Sequence, residues 1–159
     1  LTSKDTKTEP QTALKIHVLR KKTDFPAWTS FDELAEWLHE SLKPYEDTVE
    51  DIKSGMEFAL SDEPNKGGFI LLGEKDGKTV GALVMLRTPM EGFIPPNILL
   101  FVAVDPSQRG QGVGGKIVRK GFDTADGDVK LHVEYDNPAK RLYERLGMTT
   151  KYAEMRYIK

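Results

Sequence analysis

Residues 98–120 leave the backbone few choices. Ile98-Leu99-Leu100-Phe101-Val102-Ala103-Val104 is apolar throughout. Asp105-Pro106-Ser107-Gln108-Arg109-Gly110-Gln111-Gly112-Val113-Gly114-Gly115 follows directly, and Lys116-Ile117-Val118-Arg119-Lys120 is amphipathic. The layout is a buried strand, a glycine-rich turn and a helix. Such a turn aims unpaired backbone N–H groups and the positive end of a helix dipole at one spot, which suits a phosphate. Glycines there let an anion approach the main chain closely. The segment therefore predicts a phosphorylated ligand.

The remaining chain frames that unit. Leu14, Ile16 and Val18 alternate with Lys15 and His17, as in a first strand. Ser30-Phe31-Asp32-Glu33 has the form of a capping box, and Phe31, Leu34, Ala35, Leu38 and Leu42 follow at helical spacing. Pro44 closes that helix, and Val49, Ile52, Met56, Ala59 and Leu60 mark a second. Two apolar runs, 69–72 and 79–86, flank Asp76-Gly77, a hairpin signal. The proline-rich stretch 88–96 reads as a loop. After the helix at 112–124, Val129, Leu131 and Val133 alternate with Lys130, His132 and Glu134 as a strand. Asn137-Pro138 opens a last helix with Ala139, Leu142, Tyr143 and Leu146 on its apolar face. Gly147 ends it, and 149–158 reads as a final strand. The expected fold is α/β (α+β): a central mixed, partly splayed sheet with about four helices, in the order β-α-α-β-β-β-α-β-α-β. Residues 1–12 read as a flexible tail and 13–159 as one domain.

Composition narrows the partners. The net charge of −2 gives no reason to expect nucleic acid, and no apolar run reaches the length of a membrane span. No signal-peptide pattern opens the chain, so cytoplasmic residence is the expectation. Zero cysteines exclude a disulfide frame, a thiolate metal site and a cysteine nucleophile. His17, His39 and His132 are scattered without metal-ligand spacing, so no metal is expected. Monomer and homodimer both stay open.

Two cofactor classes compete for the glycine turn. Gly110, Gly112 and Gly115 formally fit G-x-G-x-x-G, and Glu134 lies about 20 residues beyond, where a dinucleotide site keeps its ribose acid. Against that reading, five residues (105–109) separate the strand from the first glycine. The unit also sits late in the chain, and Arg109 suits a ligand with more phosphate charge.

The more specific match is to another pattern. Arg109-Gly110-Gln111-Gly112-Val113-Gly114 fits [Q/R]-x-x-G-x-[G/A], with Val104-Asp105-Pro106 as lead-in. Downstream, Asn137-Pro138-Ala139-Lys140-Arg141-Leu142-Tyr143-Glu144-Arg145-Leu146-Gly147 supplies an Asn, an alanine, a Leu-Tyr pair and a closing glycine. In these two motifs, and in the order of its elements, the chain resembles the GNAT superfamily of acyl-CoA N-acyltransferases. Met148 stands where that family usually has Phe. The resemblance implies an acetyltransferase that moves an acetyl group from acetyl-CoA directly to a primary amine of a small molecule or peptide. It implies a pyrophosphate on the backbone of Arg109, Gly110, Gln111, Gly112, Val113 and Gly114. It implies a pantetheine arm beside Val102, Ala103 and Val104, with Asn137 facing it. It gives Tyr143 the role of acid for the leaving thiolate.

Tyr143 also lies on the apolar stripe of its helix, where a core tyrosine fits equally. The strand 98–104 holds no carboxylate, so the base is open. Glu91 in the proline-rich loop is the candidate, with Glu134 and His132 on a neighbouring strand, and each also reads as a solvated surface residue. Between Phe31 and Glu63 stand eleven Asp or Glu residues against Lys43 and Lys53, a rim suited to a cationic amine or simply a solvated helix face. Trp28, Trp37, Tyr45 and Phe93 are candidates for an acceptor pocket or for core. An NAD- or ATP-binding protein and a non-catalytic acyl-CoA sensor remain the alternatives.

Overall fold

Five strands form where apolar residues run on or alternate, and they pair in chain order. The computed structural model describes residues 13–159, and the tail expected at 1–12 lies outside the described residues. The strands are β1 (Lys15–Leu19), β2 (Gly68–Lys75), β3 (Lys78–Arg87), β4 (Asn97–Val104) and β5 (Val129–Lys130). The first four are antiparallel neighbours, and β5 joins β4 in parallel, so the sheet is mixed. The β2–β3 turn is the expected Asp76-Gly77, with φ of +52° and +70°. Positive φ at both central residues gives the turn the twist that a two-residue hairpin needs.

Four helices cover the sheet. They are α1 (Phe31–Leu42), α2 (Val49–Ala59), α3 (Val113–Thr124) and α4 (Ala139–Arg145). Ser30 caps α1 as its sequence predicts, its hydroxyl oxygen accepting from the Glu33 N–H at 3.2 Å. Thr48 does the same for α2 through Asp51 N–H. On one face of the sheet, Leu34, Leu38, Ile52 and Met56 pack on Ile70, Leu72, Val84, Phe101 and Ala103. On the other, Ile117, Val118 and Tyr143 pack on Leu71, Leu83, Met85 and Leu99. Neighbours along β2 and β3 thus serve opposite cores, as the pleat requires.

Two features of the expected order change. The strand expected at 129–135 is only two residues long, because pairing with β4 stops after Ile98↔Lys130. The strand expected at 149–158 is absent, and Tyr152, Met155, Tyr157 and Ile158 are exposed. A strand exists only against a neighbour, and so short a β5 offers the end of the chain almost no edge. A third feature has no sequence signal. The β3–β4 register shifts between Val84↔Phe101 and Met85↔Leu99, so Leu100 is a bulge residue. A Cβ on Gly55 of α2 would lie 2.4 Å from Leu100 Cδ2, so only glycine there makes room for the bulged side chain.

Candidate active site

The site begins where β4 loses its outer neighbour. Asp105 N–H donates to Val80 C=O at 2.9 Å, which makes that pair a hydrogen-bonded one. In an antiparallel ladder such pairs alternate, so Ala103 and Phe101 also spend their backbone groups on β3. Val102 and Val104 then point theirs away from β3, into the gap left beyond β5. Ala103 therefore cannot serve as a backbone ligand in that gap. Its side chain is buried against the α1–α2 layer. Sequence motifs group residues 102–104, and only the parity of the ladder separates them.

Beyond β4 the chain makes a single 3₁₀ turn, Pro106–Gln108, and then enters the glycines. Asp105 braces this turn, its carboxylate accepting from Ser107 N–H at 2.8 Å and Ser107 Oγ at 2.6 Å. Those bonds, the side-chain one first, hold the Asp105 carboxyl below the usual carboxylate range. Gly110 and Gly112 have φ of +80° and +79°, a region where a Cβ is strained. Lys116 N–H reaches back to Gly112 C=O, so Val113, Gly114 and Gly115 have no intrahelical acceptor for their N–H groups. These amides at the positive end of α3 suit phosphate oxygens.

Arg109 behaves differently from a simple phosphate cation. Its Nη2 donates to Ser41 C=O at 2.9 Å, near the end of α1, and its Nε to Val104 C=O at 3.4 Å. The side chain ties the turn to α1, while its backbone stays in the turn.

Across the gap lies the segment 131–137 and helix α4. Tyr143 is buried in the core beneath α3 and α4, with 8% of its surface exposed. Burial first, then the Glu134 carboxylate, pushes its phenol up to about 12. Among the described residues its hydroxyl makes no hydrogen bond. Asn137 is engaged locally: its Oδ1 accepts from Ala139 N–H at 3.0 Å and its Nδ2 donates to Glu134 Oε2 at 3.0 Å. It thus braces the turn that leads into α4 and holds Glu134 in place. Tyr45 O–H donates to Asp136 C=O at 3.2 Å, tying the α1–α2 connection to the far bank of the gap. Asp47 stands close enough to Asp51 and Glu134 that, after partial burial, their charges raise its carboxyl, with Arg156 opposing.

The expected residues therefore do not all meet. Tyr143, Asn137 and the turn belong to the two banks of one wedge, and Glu134 joins them. Glu91 lies on an exposed loop and makes no hydrogen bond or ion pair among the described residues. Trp28 and Trp37 line a different space, an open pocket of 790 Å³ at the turn end of the sheet. Phe93 is exposed, edge-on to Tyr152. Among the described residues no group of His, Asp and Glu could hold a metal ion, and no helix is long and apolar enough to cross a membrane.

A single mixed sheet, covered by helices on both faces and opening beside a glycine turn at the end of β4, is the frame of an acetyltransferase family. The model of the acetyltransferase (GNAT) family matches residues 29–148, and the chain belongs to that family. A curated relative, the uncharacterised N-acetyltransferase YjhQ of Escherichia coli (strain K12), is 34% identical over 67 residues. That match covers 40% of this chain and 37% of the relative, so the chain spans well under half of that protein's length. Among solved structures, the aminoglycoside N-acetyltransferase AAC(6')-Iy in complex with CoA superposes with a TM-score of 0.65 at 17% identity. That likeness covers 93% of this chain and 95% of the other. The ribosomal-protein-alanine N-acetyltransferase from Brucella melitensis biovar Abortus 2308 gives 0.63 at 18%, covering 92% and 99%. Both likenesses concern the fold.

Proposed function

We propose that the protein transfers an acetyl group from acetyl-CoA to a primary amine of a small molecule or peptide. The observation that carries this reading is a juxtaposition: the free amides of the glycine turn follow directly on the part of β4 that β5 does not pair, and Val102 and Val104 there pack against the same core as Tyr143. A nucleotide-only ligand would use the turn and leave the β4 edge and the phenol without purpose.

The residues fit acetyl-CoA. The amides of Val113, Gly114 and Gly115, with the backbone of Arg109, Gly110, Gln111 and Gly112, would hold the pyrophosphate. Val102 and Val104 would pair with the amide groups of the pantetheine arm, in the manner of an added strand. The cosubstrate supplies an acyl group activated as a thioester. Tyr143 keeps its proton at neutral pH and donates it, as a hydrogen bond, toward the departing sulfur. Glu134 takes the proton of the attacking amine. We assign this role to Glu134 over Glu91 because Glu134 alone of the two acts on Tyr143, and because Asn137 holds it in position.

Asp47, Asp51, Glu134 and Asp136 give the mouth a negative potential, which favours a cationic acceptor. One structural relative is an aminoglycoside N-acetyltransferase and another a ribosomal-protein-alanine N-acetyltransferase, and an amine is what the two acceptors share.

The test is thermal denaturation with acetyl-CoA, CoA, NAD and ATP. A ligand of the folded state at 100 times its Kd adds about 2.7 kcal/mol, enough to raise the midpoint measurably. A shift with the CoA species alone is the expected result. A shift with NAD or ATP and none with CoA would overturn the reading in favour of a dinucleotide or nucleotide site.

A further inference from the structure

We infer that the Arg109 side chain is a positioning residue for the acceptor side of the wedge. Its guanidinium clamps the end of α1 and so holds the α1–α2 connection, 43–48, which carries Tyr45 and Asp47 to the mouth. The inference deepens the acetyl-transfer reading above and rests on it, for that reading uses only the backbone of Arg109.

The need for a clamp arises at the last turn of α1. Pro44 has no N–H, so it cannot close the helix onto Glu40 C=O. Tyr45 N–H turns back to Leu42 C=O at 2.9 Å, not to Ser41 C=O. The Ser41 carbonyl is thus one of the acceptors that a helix end leaves over, on a residue only 6% exposed. A carbonyl kept from water needs a donor. Arg109 Nη2 supplies it at 2.9 Å, in a partly buried bond. A cation at that spot also meets the negative end of the α1 dipole.

The clamp has two prongs. Nη2 takes Ser41 C=O while Nε faces Val104 C=O at 3.4 Å, so one planar group spans the end of α1 and the end of β4. A lysine ammonium lacks that fork. The Asp105 carboxylate beside Arg109 is committed to Ser107, which leaves the guanidinium to the two carbonyls. From α1 the constraint passes outward along the connection. Asp47 C=O accepts from His39 Nδ1, on the last turn of α1, at 2.8 Å. Tyr45 O–H reaches Asp136 C=O on the far bank at 3.2 Å. Fixing the end of α1 therefore fixes where Tyr45 and Asp47 meet that bank.

The experiment is hydrogen exchange at the amides of 45–48, read by mass spectrometry in wild type, Arg109→Met and Arg109→Lys, with CoA binding followed by calorimetry and stopped flow. Arg109→Met should speed that exchange about tenfold, the worth of one hydrogen bond to a charged group, and Arg109→Lys should recover only part of the protection. The Kd for CoA should change by less than about threefold in both. Tyr45→Phe should speed CoA association in the wild-type background and not in Arg109→Met, where the connection that carries the tie is already loose. Unchanged exchange at 45–48 in Arg109→Met would overturn the inference. So would a Kd for CoA weakened about tenfold in Arg109→Met, which would make the side chain a phosphate contact. An equal effect of Tyr45→Phe in both backgrounds would overturn it as well. Wild type that does not bind CoA would overturn the acetyl-transfer reading, and the exchange rates would still decide whether Arg109 holds the connection.

Discussion

A buried phenol normally spends its hydroxyl on a neighbour, and among the described residues that of Tyr143 makes no hydrogen bond. Its side chain fills the core of α3 and α4, and the proposed function gives its oxygen to the departing sulfur. The apolar stripe on α4 is a core stripe, as its spacing reads, and under the proposed function the chemistry falls to a different atom of Tyr143. Replacing Tyr143 with Phe keeps the ring and removes the donor. Turnover is expected to fall about a hundredfold while CoA affinity changes little. Equal losses in both, measured by steady-state kinetics and calorimetry, would reduce Tyr143 to a packing residue. The raised phenol has a consequence in alkali too. A group whose folded pKa lies above its unfolded value stabilises fully below the unfolded value and loses that contribution as pH rises through the folded one. For Tyr143 the window runs from the ordinary 10.0 up to about 12. The loss amounts to about 2–3 kcal/mol by the top of that window. Tyr143→Phe should therefore lose less stability than wild type between pH 9 and 11.5 in urea titrations. Parallel losses in the two chains would contradict the assigned burial.

At the scale of elements, the strand–turn–helix unit was legible because each of its parts has a local cause. An apolar run makes β4, positive φ requires glycine at 110 and 112, and free amides begin α3. What was not legible depends on neighbours. The Leu100 bulge arises from packing against Gly55, and the outward aim of Val102 and Val104 from the parity of the β3–β4 ladder. Alternation at 131–135 and 149–158 reads as strand, yet alternation says nothing of whether an edge is available to pair with. The glycines of the turn likewise look equivalent in sequence and differ in structure. A Cβ on Gly112 meets nothing within 4 Å but sits at positive φ, whereas one on Gly114 would lie 3.3 Å from both Leu142 Cδ2 and Val104 Cγ2. Gly112→Val is expected to cost about 1–2 kcal/mol through the backbone and to weaken CoA at least tenfold by deforming the turn. Gly114→Val should cost about 1–3 kcal/mol through overpacking of α4 on α3. Urea midpoints report the stability cost in each chain, and calorimetry reports the CoA affinity of Gly112→Val. Unchanged CoA affinity in Gly112→Val would remove the pyrophosphate from the turn.

Taken whole, the molecule is two banks joined by the core beneath α3 and α4, a short seam and a polar tie. β4 with the α1–α2 layer forms one bank, and the 131–137 segment with α4 forms the other. The seam is the two-residue pairing of β4 with β5. Arg109 ties the turn to the end of α1 and covers the Val104 carbonyl, which a strand-like ligand would need. Tyr45 ties the α1–α2 connection to Asp136 across the gap. Entry of a pantetheine arm therefore has to part the banks where Tyr45 holds them. One exposed hydrogen bond is worth about 1 kcal/mol, and a tie broken before entry slows association by about fivefold. Tyr45→Phe removes that tie and no part of the turn. Stopped-flow mixing with CoA should show association faster by about that factor. The loss of a contact made only in the closed state should leave dissociation no slower than in wild type. An unchanged association rate would mean that the wedge already stands open and that Tyr45 merely decorates its rim.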